Sequence, residues 1–135
     1  MDDISIIIPT KDAGAEWETL LQKLNTQRVD ADVEIVVVDS GTSDRTVGIA
    51  HDYADIALEI PPEEFHHSRT RAIGADHAHG DILVFTVQDA IPVSDNWLAK
   101  LVRPLARGEV GITYGRQIAK QGAKPMDQFF YNYFY

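Results

Sequence analysis

The chain has 135 residues, 44% of them hydrophobic and 24% charged, which excludes a disordered tail and leaves room for one domain with a real core. It has no cysteine, so disulfide scaffolds, thiolate zinc sites and thiol nucleophiles are excluded. With 12 basic and 21 acidic residues the formal charge is −9, which argues against broad nucleic-acid or anionic-membrane binding but leaves open a phosphate ligand bridged by a divalent metal.

The first apolar run is Ile4-Ser5-Ile6-Ile7-Ile8, followed by the turn Pro9-Thr10-Lys11-Asp12-Ala13-Gly14. Its β-branched, continuous character predicts a strand covered on both faces. Trp17, Leu20, Leu21 and Leu24 then recur at the spacing of one helix face. A second buried strand is predicted over Val33–Val38, ending in Asp39-Ser40-Gly41-Thr42-Ser43-Asp44. Ser43-Asp44 predicts a cap for a helix running to about Tyr53. A weaker strand pattern, Ile56–Ile60, stops at Pro61-Pro62. A less apolar helix is predicted over 67–78, and a third buried strand over Asp81–Phe85, which leads into Val87-Gln88-Asp89-Ala90-Ile91-Pro92. Ser94 or Asp95 predicts the cap of a helix carrying Trp97, Leu98, Leu101, Val102 and Leu105, with Pro104 kinking or shortening its last turn. Val110–Tyr114 predicts a fifth strand. Six aromatics crowd residues 129–135, the pattern of a chain cut short, with an oligomer contact or a terminal helix packed on the sheet as the alternatives. No apolar run reaches the roughly 18 residues of a membrane span, and Met1-Asp2-Asp3 does not open a signal peptide.

Strand–helix alternation predicts an α/β fold with a mostly parallel sheet and flanking helices, whose ligands gather beyond the carboxyl ends of the strands. Asp39 there is placed to hold a ribose diol or a base N–H, or to cap the next helix. Asp89, at the end of an apolar strand, suits Mg²⁺ or Mn²⁺ shared with a diphosphate, or serves as a turn residue. Phe65-His66-His67-Ser68-Arg69-Thr70-Arg71 puts two arginines at a helix start, a phosphate-binding combination. The adjacent His66 and His67 point apart on a helix, which disfavours chelation. His77 and His79 near the helix end read as solvated or paired with the helix dipole. There is no dinucleotide glycine fingerprint, no P-loop and no nucleophile elbow.

Ser5–Thr10, then Glu34–Thr46, resembles the opening of family 2 glycosyltransferases of the GT-A fold. Phe65-x-His67-x-x-x-Arg71, Gly80–Phe85, Thr86–Pro92 and Tyr114-Gly115-Arg116-Gln117 resemble the rhamnosyltransferase-like branch. The resemblance implies a nucleotide-diphosphate-sugar fold over residues 1–135 and an inverting transfer from a dTDP- or UDP-sugar to a saccharide or lipid-linked acceptor. It implies substrate contacts at Pro9, Thr10, Asp39, Ser40, Arg71 and Gln88, with Mg²⁺ or Mn²⁺ at Asp89. Val87 stands where the family's metal motif has its first aspartate, and Ser40 where the nucleotide motif has its second acid. The family's acceptor half, with its general base, lies after the aromatic run, so no catalytic base is assigned and the domain is expected to be truncated. A cytoplasmic location, at the inner membrane surface for a lipid-linked acceptor, and a homo-oligomer contact through the aromatic terminus are further expectations. A non-catalytic nucleotide-binding or interaction module and a nucleotidyltransferase are the alternatives.

Overall fold

A computed structural model describes residues 2–41 and 43–134. Thr42, inside the second turn, and Tyr135, at the end of the aromatic run, lie outside the described residues, as does Met1. Strands β1 (Ile4–Thr10), β2 (Val33–Asp39), β3 (Ile56–Glu59) and β4 (Ile82–Phe85) form one parallel sheet in the order β3-β2-β1-β4. Helices α1 (Trp17–Asn25), α2 (Thr46–Tyr53), α3 (His67–His77) and α4 (Trp97–Ala106) flank it. A single 3₁₀ turn covers Pro62–Glu64, and α5 (Pro125–Phe134) closes the described chain.

The main core lies on the face of the sheet that α1, α2 and α4 cover. Ile4, Ile6 and Ile8 of β1, Ile35 and Val37 of β2 and Ile82 and Val84 of β4 pack there against Trp17, Leu20, Leu21, Leu24, Ala50, Leu98 and Val102. Helix α3 packs on the opposite face, where a Cβ at Gly74 would stand 2.5 Å from Ile7 Cγ2 and 3.3 Å from Val38 Cγ2. The chain steps outward from β1 through β2 to β3, then returns across the sheet to β4. Its connecting helix changes face at the same step, as crossovers of one constant hand require. The point of reversal lies between β1 and β4, the place where open α/β sheets bind ligands beyond the carboxyl ends of the strands.

Two expectations need correction. Strand β4 is covered on one face only: Ile82 and Val84 are buried, whereas Leu83 and Phe85 are 40% and 48% exposed. Helix α3 sits over β1 and β2. Residues 110–114 form no strand. They run along the surface beside α4, tied by the Thr113 hydroxyl to the Leu101 carbonyl at 2.9 Å, with Ile112 and Tyr114 exposed. Apolar alternation makes a strand only where a neighbouring ladder receives it. Pro104 lies within α4, two residues before its end at Ala106. Proline removes one donor and crowds one carbonyl of the preceding turn, and Leu98, Leu101, Val102 and Leu105 of the same helix pack into or against the core.

Helix α2 begins at Thr46 with no side-chain cap from its flanking residue Arg45. Asp44 performs the capping from one position earlier, accepting the Thr46 N–H at 2.8 Å. The aromatic terminus is a helix, but it is not packed on the sheet. Met126, Phe129, Phe130, Tyr133 and Phe134 form one apolar arc of α5 and are all substantially exposed.

A polar knot fastens the amino ends of the strands. The Ser5 hydroxyl donates to Glu34 Oε1 at 2.5 Å and accepts the Gly80 N–H at 2.8 Å. The His79 N–H also donates to Glu34 Oε1, and His79 Nδ1 lies 3.1 Å from Oε2. Burial pushes the Glu34 carboxyl up, but these bonds from His79 and Ser5 together outweigh it and hold the group below the usual glutamate range. The carboxylate therefore stabilises the fold above its unfolded pKa, and that contribution is lost as pH falls through the folded value. Acid unfolding followed by circular dichroism should show Glu34→Gln with a flatter loss of stability below the usual glutamate range than the parent protein.

The glycines supply a second test. A Cβ at Gly80 would lie 2.6 Å from the Ser5 backbone nitrogen, whereas one at Gly48, within α2, meets nothing within 4 Å. In denaturant titrations Gly80→Ala should cost about 1–3 kcal/mol. Gly48→Ala should add about 0.5–1 kcal/mol, the ordinary helix preference for alanine.

Candidate nucleotide-sugar site

All four strands end at one edge, and the parallel register sets Thr10 directly beside Asp39. Both side chains are buried there, at 3% and 2% exposure. The Thr10 carbonyl accepts the Ser40 N–H at 3.0 Å and the Ser40 hydroxyl at 3.3 Å. Ser40, which stands in place of a second acid, thus spends its hydroxyl on joining the first two turns. Pro9, the residue before Thr10, is half-buried. The Asp39 carbonyl accepts the Ile60 N–H at 2.8 Å, which carries the same edge into the loop before α3. Gly41 fits tightly against that loop: its φ is +84°, and a Cβ would stand 2.2 Å from Pro62 Cγ. Both facts require glycine.

The β4 turn joins from the other side. Gln88 Oε1 accepts the Thr10 hydroxyl at 2.9 Å and the Lys11 N–H at 2.8 Å. Gln88, expected to contact substrate, therefore braces the first turn with its carbonyl oxygen. Its neighbour Asp89 is exposed at the turn that the Ala90 N–H closes onto the Val87 carbonyl. Thr10 and Lys11 on one side and Gln88 and Asp89 on the other flank the reversal point of the sheet.

The start of α3 supplies the cationic side. Arg71 is partly exposed, and its Nη1 donates to the His67 carbonyl at 2.8 Å, so the guanidinium folds back along the first turn. Phe65 packs edge-on against His67 with ring centroids 5.1 Å apart. His66 instead turns its Nδ1 to the Ser68 hydroxyl at 3.0 Å. The two histidines thus have separate partners, as their adjacency predicts. His77 Nδ1 meets the Ile73 carbonyl at 2.8 Å, in keeping with a histidine at a helix end. His79 serves the distant Glu34 knot.

Among the described residues no three His, Asp or Glu side chains gather into a metal cage. Asp89 offers one exposed hard-oxygen ligand beside the reversal point. That donor set fits Mg²⁺ or Mn²⁺ held jointly by one carboxylate, a diphosphate and water, because these ions accept mixed oxygen shells.

A network that the sequence motifs did not single out locks the first two turns. Asp12 Oδ1 accepts the Ser43 N–H at 2.7 Å and lies 3.2 Å from the Ser43 hydroxyl. The Thr46 hydroxyl donates to Asp44 and accepts the Ala13 N–H at 2.8 Å. Its carbonyl accepts the indole N–H of Trp17 at 3.0 Å. The Thr46 hydroxyl and N–H both point at Asp44 and hold its carboxyl below the usual aspartate range. The sequence signal was an aspartate two residues before a helix, which reads as a cap and hides the longer reach to residue 13.

Residues 5–131 match the family described as Glycosyl transferase family 2. The chain belongs to that family. It is 32% identical over 125 residues to the O-antigen chain rhamnosyltransferase RfbN of Salmonella typhimurium, a match covering 91% of this chain and 40% of the relative. It is 31% identical over 131 residues to the O-antigen chain rhamnosyltransferase WbaN of Salmonella anatum, covering 93% and 40%. The chain thus spans about two fifths of the length of these curated relatives. The mannosyltransferase PcManGT of Pyrobaculum calidifontis, solved with GDP-Man and Mn²⁺, superposes with a TM-score of 0.69 at 25% identity, over 96% of this chain and 38% of that one. Glucosyl-3-phosphoglycerate synthase of Mycobacterium tuberculosis, solved with Mn²⁺, UDP and glucosyl-3-phosphoglycerate, gives 0.61 at 26% identity, over 77% and 39%. The fold is that of the GT-A glycosyltransferases.

Thr46→Val keeps the shape of a buried side chain but strands the Ala13 N–H. It should lower stability by about 1–3 kcal/mol, read from the denaturant midpoint, whereas Thr46→Ser should retain most of it.

Proposed function

We propose that these residues form the donor-binding part of a glycosyltransferase that takes a sugar from a nucleotide diphosphate, with dTDP-rhamnose or a UDP-sugar as donor, and transfers it with inversion. The reading rests chiefly on one observation. The carboxyl ends of β1, β2 and β4 bring Thr10, Asp39, Gln88 and Asp89 to one edge at the reversal point of a parallel sheet. The relatives named as rhamnosyltransferases and the neighbour solved with a nucleotide sugar and Mn²⁺ support it.

In this reading Pro9, Thr10, Asp39 and Ser40 wall the nucleoside. Arg71 and the amides at the start of α3 face the diphosphate. Asp89 shares Mg²⁺ or Mn²⁺ with it, and the metal supplies charge that offsets the leaving diphosphate. Gln88 keeps the nucleoside wall and the metal turn at a fixed spacing. Inversion requires a carboxylate that takes the acceptor hydroxyl proton, and none of these 135 residues is assigned to that task.

The acceptor is a saccharide or lipid-linked saccharide. The exposed aromatic arc of α5 follows Arg116, Lys120 and Lys124, with Asp127 as the sole acid after Gly115. That pattern supports a position at a membrane surface, where a lipid-linked acceptor would lie. No helix among the described residues is long and apolar enough to cross a membrane. A nucleotide-binding role without transfer is the second reading, favoured by Val87 standing where the family's metal motif has its first aspartate.

Thermal-shift titrations with dTDP, UDP, GDP and NAD, each with Mn²⁺ and with EDTA, test the assignment. A nucleotide diphosphate at 100 times its dissociation constant should stabilise the protein by about 2.7 kcal/mol. NAD should give no shift. Asp39→Ala should weaken binding with or without metal, and Asp89→Ala should remove only the Mn²⁺-dependent part. Arg71→Ala should weaken dTDP more than thymidine. Absence of a shift with every nucleotide would overturn the donor-site reading.

A further inference from the structure

The turn after β1 departs from ordinary backbone geometry at one residue. Asp12 has φ of +45°, the sole positive value outside glycine among the described residues. Aspartate tolerates this region better than most residues but still carries strain there. The neighbours show what the strain accomplishes. The Lys11 N–H donates to Gln88 in the β4 turn, whereas the Ala13 N–H donates to Thr46 at the start of α2. In an extended chain amides two residues apart point the same way. Here they serve opposite neighbours, and the left-handed residue between them makes the reversal. Its own carboxylate completes the second link by accepting the Ser43 N–H at 2.7 Å.

We infer that Asp12 is a positioning residue for the nucleotide site, which fixes the turn carrying Thr10 against the turn carrying Asp39 by its reversed backbone and its bond to Ser43. It acts through the two turns and is assigned no contact with the donor. The inference rests on the donor-site reading for its functional meaning. The brace itself stands on the geometry of residues 10–14 and 43–46.

Three variants separate the backbone from the carboxylate. Asp12→Asn keeps an acceptor oxygen and adopts the left-handed region readily. Asp12→Gly accepts the positive φ without strain but has no acceptor. Asp12→Ala lacks both. Asp12→Gly should melt close to the parent protein yet bind dTDP, UDP or GDP with Mn²⁺ about tenfold more weakly, the loss expected from one charge-assisted hydrogen bond. Asp12→Asn should restore affinity to within about twofold. Amide exchange by NMR should show the Ser43 N–H protected in the parent and in Asp12→Asn, and exposed in Asp12→Gly.

Parent-like affinity together with parent-like Ser43 protection in Asp12→Gly would overturn the assignment. So would a loss of affinity that Asp12→Asn fails to restore. If the parent protein binds none of the nucleotides, the donor-site reading fails, and Ser43 exchange alone then decides the brace. Protection lost only in the Gly and Ala variants upholds it, and protection retained in all overturns it.

Discussion

Everything at the carboxyl edge of the sheet depends on the pairing of β1 with β2. Their register runs unbroken from Ile4 opposite Val33 to Thr10 opposite Asp39, so both strands end at the same level. A slip of one residue would exchange the two faces. It would turn Ile6 and Ile8 away from the helices and break the Thr10 carbonyl's bonds to Ser40. The apolar side chains of β1 and β2 thereby fix where the polar side chains beyond them stand. The same pairing lets α3 lie flat on Ile7 and Val38, where Gly74 leaves the room.

The two ends of the sheet use their polar groups differently. At the amino end Ser5, Glu34, His79 and Gly80 satisfy one another in a closed knot, leaving few donors for a ligand. At the carboxyl end the bonds run between turns and leave Asp89 exposed with Arg71 partly so. A stabilising knot at one end and an open set of charged groups at the other fit a scaffold whose chemistry is confined to one edge.

Much of this was legible in the sequence. Continuous β-branched runs gave β1 and β2, and the spacing of Trp17, Leu20, Leu21 and Leu24 gave the buried face of α1. The turns after β1, β2 and β4 marked the edge where Thr10, Asp39 and Asp89 stand. Long-range closure was not legible. The Gly80–Ser5 bond spans 75 residues and the Gln88–Thr10 bond 78, and no local pattern reports a partner so distant. The misplaced strand at 110–114 and the half-covered face of β4 share one cause. Local apolarity states that burial is favourable, and only the tertiary arrangement decides whether a covering layer is there. The left-handed backbone at Asp12 was hidden for a related reason, since aspartate is ordinary in any turn.

The fit of Gly41 against Pro62 has a further consequence. Proline is already restricted in φ, and Gly41 lies so close to its ring that any side chain there would collide with it. The turn at Asp39 and the loop leading to Arg71 are thereby packed against each other. In the donor-site reading, a nucleotide entering this edge would meet walls already packed on each other. Walls held by packing lose less ordering entropy on binding, so more of the contact energy survives as affinity.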